Sequence, residues 1–374
     1  MRRAWRPLVA ALSALTLAAC ATPARETPGP PRLPTAPIPI PSIEAGPSPA
    51  ASSRIELSEL PGWANENHDI ALEAWRTVCP AIRDPAAADL CLRARSVGVI
   101  VPGDGRIFLE REFQAERVGG EGVLTGYFAP VYAARRAADA EFSTPVRPRP
   151  SDLTLAPDGR ASRSGDGTPY PDRAQIEALE ESAPLAWMRP EEHFFLQIQG
   201  SGVLVFEDGQ RMKALYAAHN GLPFVGIANP MRERGLLARD NTSGDSIRAW
   251  LAANRGSAAN ELMRLNPRFV FFRLAPDDGR PPAGAAGAPL PAGRAIAIDP
   301  AFHRYGDLVW LDGEAPMLAG AFPRYRRLVT ALDTGGAIKG EVRADLYIGQ
   351  GDVAGTEAGR IRHTLMMWRL VPRR

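Results

Sequence analysis

Lysine is almost absent from this chain, although basic residues are not. Among 374 residues the 44 basic side chains include only two lysines, Lys213 and Lys339, and 42 acidic residues leave a net charge of +2. Nucleic-acid binding through phosphate neutralisation needs a broad surplus of positive charge. We therefore expect no nucleic-acid partner.

Metal ligands and the motifs of common enzyme classes are also scarce. Three cysteines and five histidines leave little material for a metal cluster, so we predict neither a metal nor another cofactor. The sequence has no Gly-x-Ser-x-Gly, no His-Glu-x-x-His and no phosphate-binding Gly-x-x-x-x-Gly-Lys-Ser/Thr. The histidines stand far apart, and each is interpreted as structural or surface.

The chain does contain enough apolar sequence for two folded domains. Hydrophobic residues make up 45% of it and charged residues 23%, and one domain usually takes roughly 100–200 residues. Apolar spacing predicts helices at 70–79 and 175–182, and two more within 245–265. Short apolar runs predict strands at 123–132, 194–206, 269–274, 294–298, 308–311, 326–332 and 365–371. This pattern favours β-barrels, and the Gly- and Pro-rich segment 276–293 is expected to be a surface excursion.

The N-terminus carries the signs of export. Two arginines follow Met1, an apolar run spans residues 8–19, and Cys20 comes directly after it. Such a run is typical of a secretory signal peptide and is too short for a permanent membrane helix. Small residues before the cysteine resemble the bacterial lipobox, which predicts cleavage before Cys20 and its lipidation. The alternative is an ordinary signal peptide with an incidental cysteine.

Ten prolines lie among residues 21–53. Such a composition cannot bury enough apolar surface to fold, so we interpret this segment as an extended tether. Export also implies an oxidising compartment, in which Cys79 and Cys91, twelve residues apart, are a candidate disulfide pair. The alternative is two buried thiols.

Three aspartates near the C-terminus, Asp299, Asp333 and Asp345, each border an apolar run of strand character. A carboxylate in such a place must be hydrogen-bonded or used in function, because its burial is costly. The glycine-rich residues 334–340 follow Asp333, permit close approach of a ligand to the backbone and include Lys339. We therefore predict a site here, although any one of the aspartates could instead cap a turn.

Residues 333–335 (Asp-Thr-Gly) also match the triplet of aspartic proteases. Those enzymes need two such aspartates sharing a proton. The sequence has no second triplet, so a protease would require a dimer.

A row of polar side chains is predicted on one face of the strand at 194–206. Strand alternation places Gln197, Gln199 and Ser201 together, and Gly200 would let a ligand approach the backbone. Amide and hydroxyl groups suit the hydroxyl and N-acetyl groups of a sugar chain. The alternative is a half-exposed strand with its polar face outward. Residues 124–128 (Leu-Thr-Gly-Tyr-Phe) add a glycine beside aromatic surface that could stack on a sugar ring.

Four segments, in order, resemble the membrane-bound lytic murein transglycosylase A family. They are residues 124–128, 196–202 (Leu-Gln-Ile-Gln-Gly-Ser-Gly), 266–272 (Asn-Pro-Arg-Phe-Val-Phe-Phe) and 331–340 (Ala-Leu-Asp-Thr-Gly-Gly-Ala-Ile-Lys-Gly). The resemblance implies a mainly β fold with some α. The implied fold consists of a double-psi β-barrel domain and a second, inserted β-rich domain, with the glycan in the groove between them. It also implies peptidoglycan lytic transglycosylase activity, with a non-catalytic peptidoglycan-binding lipoprotein as the alternative.

The resemblance also assigns the site. Asp345 is the expected general acid and base, supported by Asp333 and Asp299, which could raise its pKa or orient it. One carboxylate can suffice, because the nucleophile is the substrate's own C6 hydroxyl and the product is a 1,6-anhydro sugar. The charge of Lys339 would oppose a raised pKa, so Lys339 is assigned to a substrate or structural contact. The predicted glycan contacts are Thr125, Gly126, Tyr127, Gln197, Gln199, Gly200, Ser201, Lys339 and Tyr347.

The resulting organisation has four parts. They are a signal peptide (1–19), a lipidated cysteine with its tether (20–54), a barrel domain with N-terminal helices (55–125 and 267–374), and an inserted β-rich glycan-binding domain (126–266). Ala21 after the cysteine resembles the outer-membrane sorting pattern. We expect a protein at the periplasmic face of the outer membrane, held by its lipid, with peptidoglycan strands as substrate and cell-wall synthases as candidate partners.

Overall fold

A computed structural model describes residues 54–156, 159–180, 183–238, 243–315 and 322–373. The predicted signal peptide, Cys20 and all but the last residue of the predicted tether lie outside the described residues. Within the described ranges, no helix is both long enough and apolar enough to cross a membrane.

The helices are short, and all but the last of those described lie in the N-terminal part or the middle of the chain. Three 3-10 turns occupy Leu57–Glu59, Trp63–Asn65 and Cys79–Ala81. The α-helices are α1 (His68–Arg76), α2 (Pro85–Ser96), α3 (Asp104–Glu112), α4 (Arg173–Ala178), α5 (Pro190–Gln199), α6 (Ala228–Glu233), α7 (Gly244–Ala253), α8 (Ser257–Arg264) and α9 (Gly351–Ala358). The predicted helices at 70–79, 175–182 and 245–265 are confirmed as α1, α4 and the pair α7 and α8, with bounds shifted by a few residues.

The strands form four sheets, two of them large. The strands are β1 (Phe113–Ala129), β2 (Val131–Ala133), β3 (Thr144–Val146), β4 (Leu153–Leu155), β5 (Ala161–Arg163), β6 (Ala186–Met188), β7 (Ser201–Val205), β8 (Arg211–His219), β9 (Val270–Pro276), β10 (Ala295–Ala297), β11 (Leu308–Glu314), β12 (Arg324–Asp333), β13 (Arg343–Gln350) and β14 (Arg362–Pro372).

Six of these strands close into a barrel in the order β1-β13-β10-β12-β11-β14. The pairs β1/β13 and β10/β12 are parallel, and the other four pairs are antiparallel. Apolar side chains fill its interior, among them Ile296, Val309, Leu311, Leu346 and Met367. The mainly β fold with a closed barrel and a second β-rich domain is therefore confirmed, and it is the double-psi type of barrel.

A second sheet, in the order β2-β7-β8-β9, forms the inserted domain. Its core contains Met188, Leu196, Leu204 and Phe272. The sheet shows where the chain crosses between domains. Barrel strand β1 continues to Ala129, and β9 belongs to the inserted sheet. We therefore propose crossings a few residues after the predicted boundary at 126 and about ten residues after the one at 266.

The N-terminal helices pack against the barrel through a core that includes Trp63, Trp75, Phe113 and Trp310. The first of these helices, α1, begins where the Asn67 side chain accepts a hydrogen bond from the Ile70 N–H. Cys79 and Cys91 are joined in a disulfide, with their Cα atoms 5.6 Å apart. The bridge ties the turn Cys79–Ala81 to α2.

The predicted strand at 194–206 is wrong over its first half. Pro190 and the acidic Glu191 and Glu192 stand in the first turn of α5, where proline fits and negative charge stabilises the helix. Gly200, with φ +79°, ends α5, and strand β7 begins only at Ser201. The two-residue alternation therefore does not apply to Gln197 and Gln199.

The predicted surface excursion at 276–293 is also wrong in part. Leu290 is 2% exposed and packs in the core beneath the N-terminal helices, together with Ala286 and Ala288. The Ala286 N–H donates to the carbonyl of Leu332 at 2.9 Å. This segment therefore lies against the end of β12, where Asp333 stands.

Candidate active site

Strand β10 brings two of the predicted aspartates together. Ala297 on this strand is paired with Asp333 of β12 on one side and with Asp345 of β13 on the other. A small residue between them leaves both carboxylates open to the same end of the barrel. Two positions twelve apart in sequence thus become neighbours across a single strand.

Asp345 is held by strand β1. Thr125 is its direct partner in the parallel register of β1 and β13, and the Thr125 hydroxyl donates a hydrogen bond to Oδ1 of Asp345. Nη2 of Arg343 in turn donates to Oγ1 of Thr125 at 2.9 Å. Because a guanidinium can only donate, it orients the Thr125 hydroxyl proton towards Asp345.

Asp333 has two different donors. The hydroxyl of Tyr127 donates to its Oδ2 at 2.8 Å, and the Ala285 N–H donates to its Oδ1 at 2.9 Å. Ala285 belongs to the segment predicted as a surface excursion, which therefore contributes to the site. Two donors to one carboxylate stabilise its charged form.

Both carboxyl groups hold their protons more tightly than an ordinary aspartate. Burial raises the pKa of Asp345, and the nearby charge of Asp333 raises it further, against the Thr125 hydrogen bond and the charge of Arg343. Burial also raises the pKa of Asp333, against the hydrogen bonds from Ala285 and Tyr127. Asp333 has the more complete set of hydrogen-bond donors, which favour its charged form, so Asp345 is the better candidate for a general acid.

Tyr127 stays protonated in this environment. Burial, followed by the charge of Asp333, raises the pKa of its phenol well above the ordinary value. Its ring lies 5.3 Å from the ring of Tyr347 between centroids. Tyr347 is only 2% exposed, so the predicted direct glycan contact of Tyr347 is corrected to packing beneath Tyr127.

Asp299 and Lys339 form a separate pair beside the site. Oδ1 of Asp299 accepts from the Ala301 N–H at 3.2 Å, and Oδ2 accepts from the Gly340 N–H at 2.9 Å. The Lys339 ammonium lies 3.7 Å from Asp299. Although burial alone would raise the pKa of Asp299, these hydrogen bonds and Lys339 hold it below the ordinary value. Asp299 thus anchors the end of the glycine-rich turn, and the Lys339 side chain lies beside it, 66% exposed.

A cleft of about 240 Å³ lies between the barrel and the inserted domain, over the two aspartates. Larger clefts of about 480 and 440 Å³ occur elsewhere, but neither reaches Asp345. The barrel side of the cleft is lined by Thr125, Gly126, Tyr127, Ala297, Asp333, Asp345 and the turn 334–338. The inserted domain contributes Gln197, Ile198, Gln199, Phe224 and Arg268.

The two glutamines differ in what they can offer a ligand. Gln197 is 6% exposed, and its amide is occupied by Arg173 (2.6 Å), His193 (3.3 Å) and the Val270 carbonyl (3.4 Å). It closes the floor of the cleft. Gln199 accepts from the Phe128 N–H at 3.3 Å, which links the domains while its amide nitrogen remains open to the cleft.

Packing and backbone conformation also require glycine at two of the predicted positions. A Cβ on Gly126 would lie 3.0 Å from Cα of Ala358, the last residue of α9, and 2.7 Å from Cδ1 of Ile361, which follows the helix. Gly200 serves as the left-handed end of α5, and Ser201 begins β7. Gly200 and Ser201 are not among the residues that line the cleft.

Sequence reasoning missed three arginines. Arg173 is buried and donates to the carbonyls of Asn266 (2.9 Å) and Arg268 (2.6 Å), and burial lowers its pKa to about 10. Arg343 orients Thr125, and Arg268 lines the cleft. In a chain so rich in arginine, composition does not distinguish these three from surface residues.

The cleft has the donors for acid–base chemistry on a neutral substrate. Two neighbouring carboxyl groups, both with a raised pKa, stand on one side, and amide and aromatic groups line the opposite side. Among the residues described, no group of three or more His, Cys, Asp and Glu could hold a metal ion. The closed barrel, the inserted sheet and the paired carboxylates define a double-psi β-barrel protein with a carboxylate site between its domains.

Comparison with known proteins then narrows this class. Residues 123–273 match the family model described as MltA specific insert domain, and residues 294–371 match the 3D domain. The chain is 33% identical over 286 residues to the membrane-bound lytic murein transglycosylase A of Vibrio cholerae, which covers 73% of each protein. It is 34% identical over 253 residues to the membrane-bound lytic murein transglycosylase A of Escherichia coli K12, and this match covers 66% of this chain and 64% of the relative. The chain belongs to the membrane-bound lytic murein transglycosylase A family.

Solved structures agree with this assignment. A membrane-bound lytic murein transglycosylase from Agrobacterium tumefaciens is similar with a TM-score of 0.76 and 28% identity, covering 86% of this chain and 97% of that one. MltA from Neisseria gonorrhoeae is similar with a TM-score of 0.72 and 29% identity, covering 85% of this chain and 92% of that one. E. coli MltA with bound chitohexaose is similar with a TM-score of 0.64 and 28% identity, covering 82% of this chain and 91% of that one.

Proposed function

We propose that this protein is a peptidoglycan lytic transglycosylase with Asp345 as its general acid and base. It would cleave the β-1,4 bond between N-acetylmuramic acid and N-acetylglucosamine and form 1,6-anhydro-N-acetylmuramic acid. The observation that carries the proposal is the placement of Asp345. It is a partly buried carboxyl group with a raised pKa, at the bottom of an interdomain cleft, in a member of this family.

The reaction needs no water and no second nucleophile. Protonated Asp345 donates its proton to the glycosidic oxygen as the bond from that oxygen to C1 of the muramic acid breaks. The C6 hydroxyl of the same sugar then attacks C1, and the Asp345 carboxylate accepts the hydroxyl proton. One C–O bond breaks and one forms, and Asp345 ends the cycle protonated as it began. A retaining hydrolase would instead need a second carboxylate as nucleophile.

Asp333 supports this cycle from one strand away. Its charge, held by Tyr127 and Ala285, keeps the proton on Asp345 and stabilises positive charge that develops on the sugar at C1. Thr125 and Arg343 fix one oxygen of Asp345, which leaves Oδ2 for the substrate. On the opposite side, the Gln199 amide and the Phe224 ring are the proposed glycan contacts.

The cellular setting is part of the proposal. Lipidation of Cys20 would hold the protein at the periplasmic face of the outer membrane, with the proline-rich segment spanning towards the peptidoglycan. Glycan strands are the substrate, and cell-wall synthases are proposed partners. Growth in labelled palmitate, followed by comparison of the chain with its Cys20→Ala variant, tests the anchor directly.

Asp345→Asn is the direct test of the assigned residue. The variant should retain its fold and release no anhydro-muropeptides from purified sacculi, whereas Asp299→Asn should retain part of the activity. Undiminished release by Asp345→Asn would contradict the assignment. Binding to sacculi by the wild-type chain without any soluble product would favour the alternative, a non-catalytic peptidoglycan-binding lipoprotein.

A further inference from the structure

Arg268 lies on the inserted-domain side of the cleft. It follows Asn266 and Pro267 just before β9, and buried Arg173 binds the carbonyls of Asn266 and Arg268, which fixes the backbone there. Its guanidinium lies against the glycine-rich turn that follows Asp333, because a Cβ placed on Gly336 would be 3.6 Å from Cζ of Arg268. The side chain therefore crosses the cleft close to the reacting aspartates without contacting them.

This guanidinium has no acidic partner among the described residues. Its one side-chain hydrogen bond runs from Nη1 to the carbonyl of Leu222 at 3.1 Å. Burial lowers the pKa of Arg268. Burial and then the Arg268 charge lower the pKa of neighbouring His219 to about 4, so His219 is neutral and adds no second positive charge beside Arg268. An arginine carries five donors, and most of those on Arg268 remain available.

Several other partly buried arginines of this chain are paired with a carboxylate. Arg294 binds Glu66 at 2.9 Å, Arg326 binds Asp312 at 2.7 Å, and Arg255 binds Glu191 at 2.5 Å. Removing a guanidinium from water without a partner is costly. An unpaired guanidinium in a substrate cleft therefore indicates a partner that arrives with the substrate.

We propose that Arg268 binds a carboxylate of the glycan substrate and so makes this site selective for acidic strands. The inference rests on the proposed function. The ring hydroxyls and N-acetyl groups are neutral, but peptidoglycan carries carboxylates in two chemical settings. A muramic acid without a peptide exposes its lactyl carboxylate, and one with a peptide uses that group in an amide and carries carboxylates on the peptide instead. The guanidinium can bind either kind of carboxylate through two parallel N–H donors.

The test measures binding in the Asp345→Asn background, where no turnover occurs. The probes are chitohexaose, which has no carboxylate, glycan strands stripped of peptides, and peptide-bearing strands. Arg268→Gln should weaken binding of one or both acidic probes about tenfold, the scale of one charge-assisted hydrogen bond, and leave chitohexaose unchanged. Loss confined to stripped strands identifies the lactyl carboxylate, and loss confined to peptide-bearing strands identifies the peptide. Arg268→Lys should restore part of the affinity.

Arg273→Gln is the matched control, because this arginine lies exposed on β9 outside the cleft. It should leave all three affinities unchanged. An equal loss for chitohexaose and the acidic probes in Arg268→Gln, or no loss for any probe, would overturn the inference. Digestion of sacculi by the chain that keeps Asp345 tests the proposed function separately from the binding comparison. Failure to release anhydro products would therefore leave the binding comparison intact.

Discussion

Thr125 and Asp345 are direct neighbours on parallel strands, and the threonine hydroxyl donates to Oδ1 of the aspartate. The two residues are 220 positions apart in sequence. Their contact joins the strand that enters the inserted domain to the strand that carries the acid.

Thr125→Val removes the donor but keeps the shape of the side chain. The hydrogen bond lowers the pKa of Asp345, so its loss should raise that pKa and move the alkaline limb of the pH–rate profile to higher pH. Because Oδ1 is no longer fixed, kcat should fall about tenfold or more. Thr125→Ser keeps the hydroxyl and should stay near wild type. A limb that moves to lower pH would contradict this role.

Arg343→Gln should act on kcat rather than on KM. Arg343 does not line the cleft, but its charge lowers the pKa of Asp345 and its Nη2 orients Thr125. Loss of the charge should move the alkaline limb upward, in the same direction as Thr125→Val. In Arg343→Lys the limb should return towards wild type, since the charge is kept. A purely structural arginine would change stability without moving the limb.

Asp345→Asn should be more stable than wild type at neutral pH. The pKa of Asp345 is raised in the folded protein, so the folded state binds the proton more tightly than the unfolded chain does. This tighter proton binding stabilises the folded state. The contribution is fully present below the pKa of the unfolded chain, near 3.8, and is lost as the pH rises through the pKa of the folded protein. Thermal unfolding should therefore show a gain of a few degrees near pH 7 and little difference near pH 3. An unchanged Tm near pH 7 would contradict the raised pKa.

The disulfide should affect stability and not chemistry. Cys79 and Cys91 close a loop with a sequence separation of 12, for which loop entropy predicts a contribution of about 3 kcal/mol. The Cys79→Ser, Cys91→Ser double variant should unfold at a lower temperature. Its kcat should match wild type well below that temperature, because neither cysteine lines the cleft. A changed kcat in folded protein would link this region to the site.

The sequence was most informative where a motif and its structural setting coincide. Asp333 and Asp345 could be predicted because a carboxylate beside an apolar strand is conspicuous, but their meeting at Ala297 is a matter of strand order. The strand predicted over Gln197 and Gln199 is wrong because their apolar neighbours are compatible with either a helical or a strand period. Pro190 with the two glutamates after it is the local signal for a helix start. Arg268 and Arg343 have no local signal, since their roles come from packing between distant segments.

The most direct test of the account is digestion of purified sacculi in H₂¹⁸O, with the released muropeptides weighed by mass spectrometry. If Asp345 transfers a proton to the leaving oxygen and the C6 hydroxyl closes the ring, the products are 1,6-anhydro sugars, one water lighter than reducing sugars and free of ¹⁸O. Asp345→Asn should release none of them. Products that carry a reducing end with ¹⁸O at C1 would show attack by water and contradict the account.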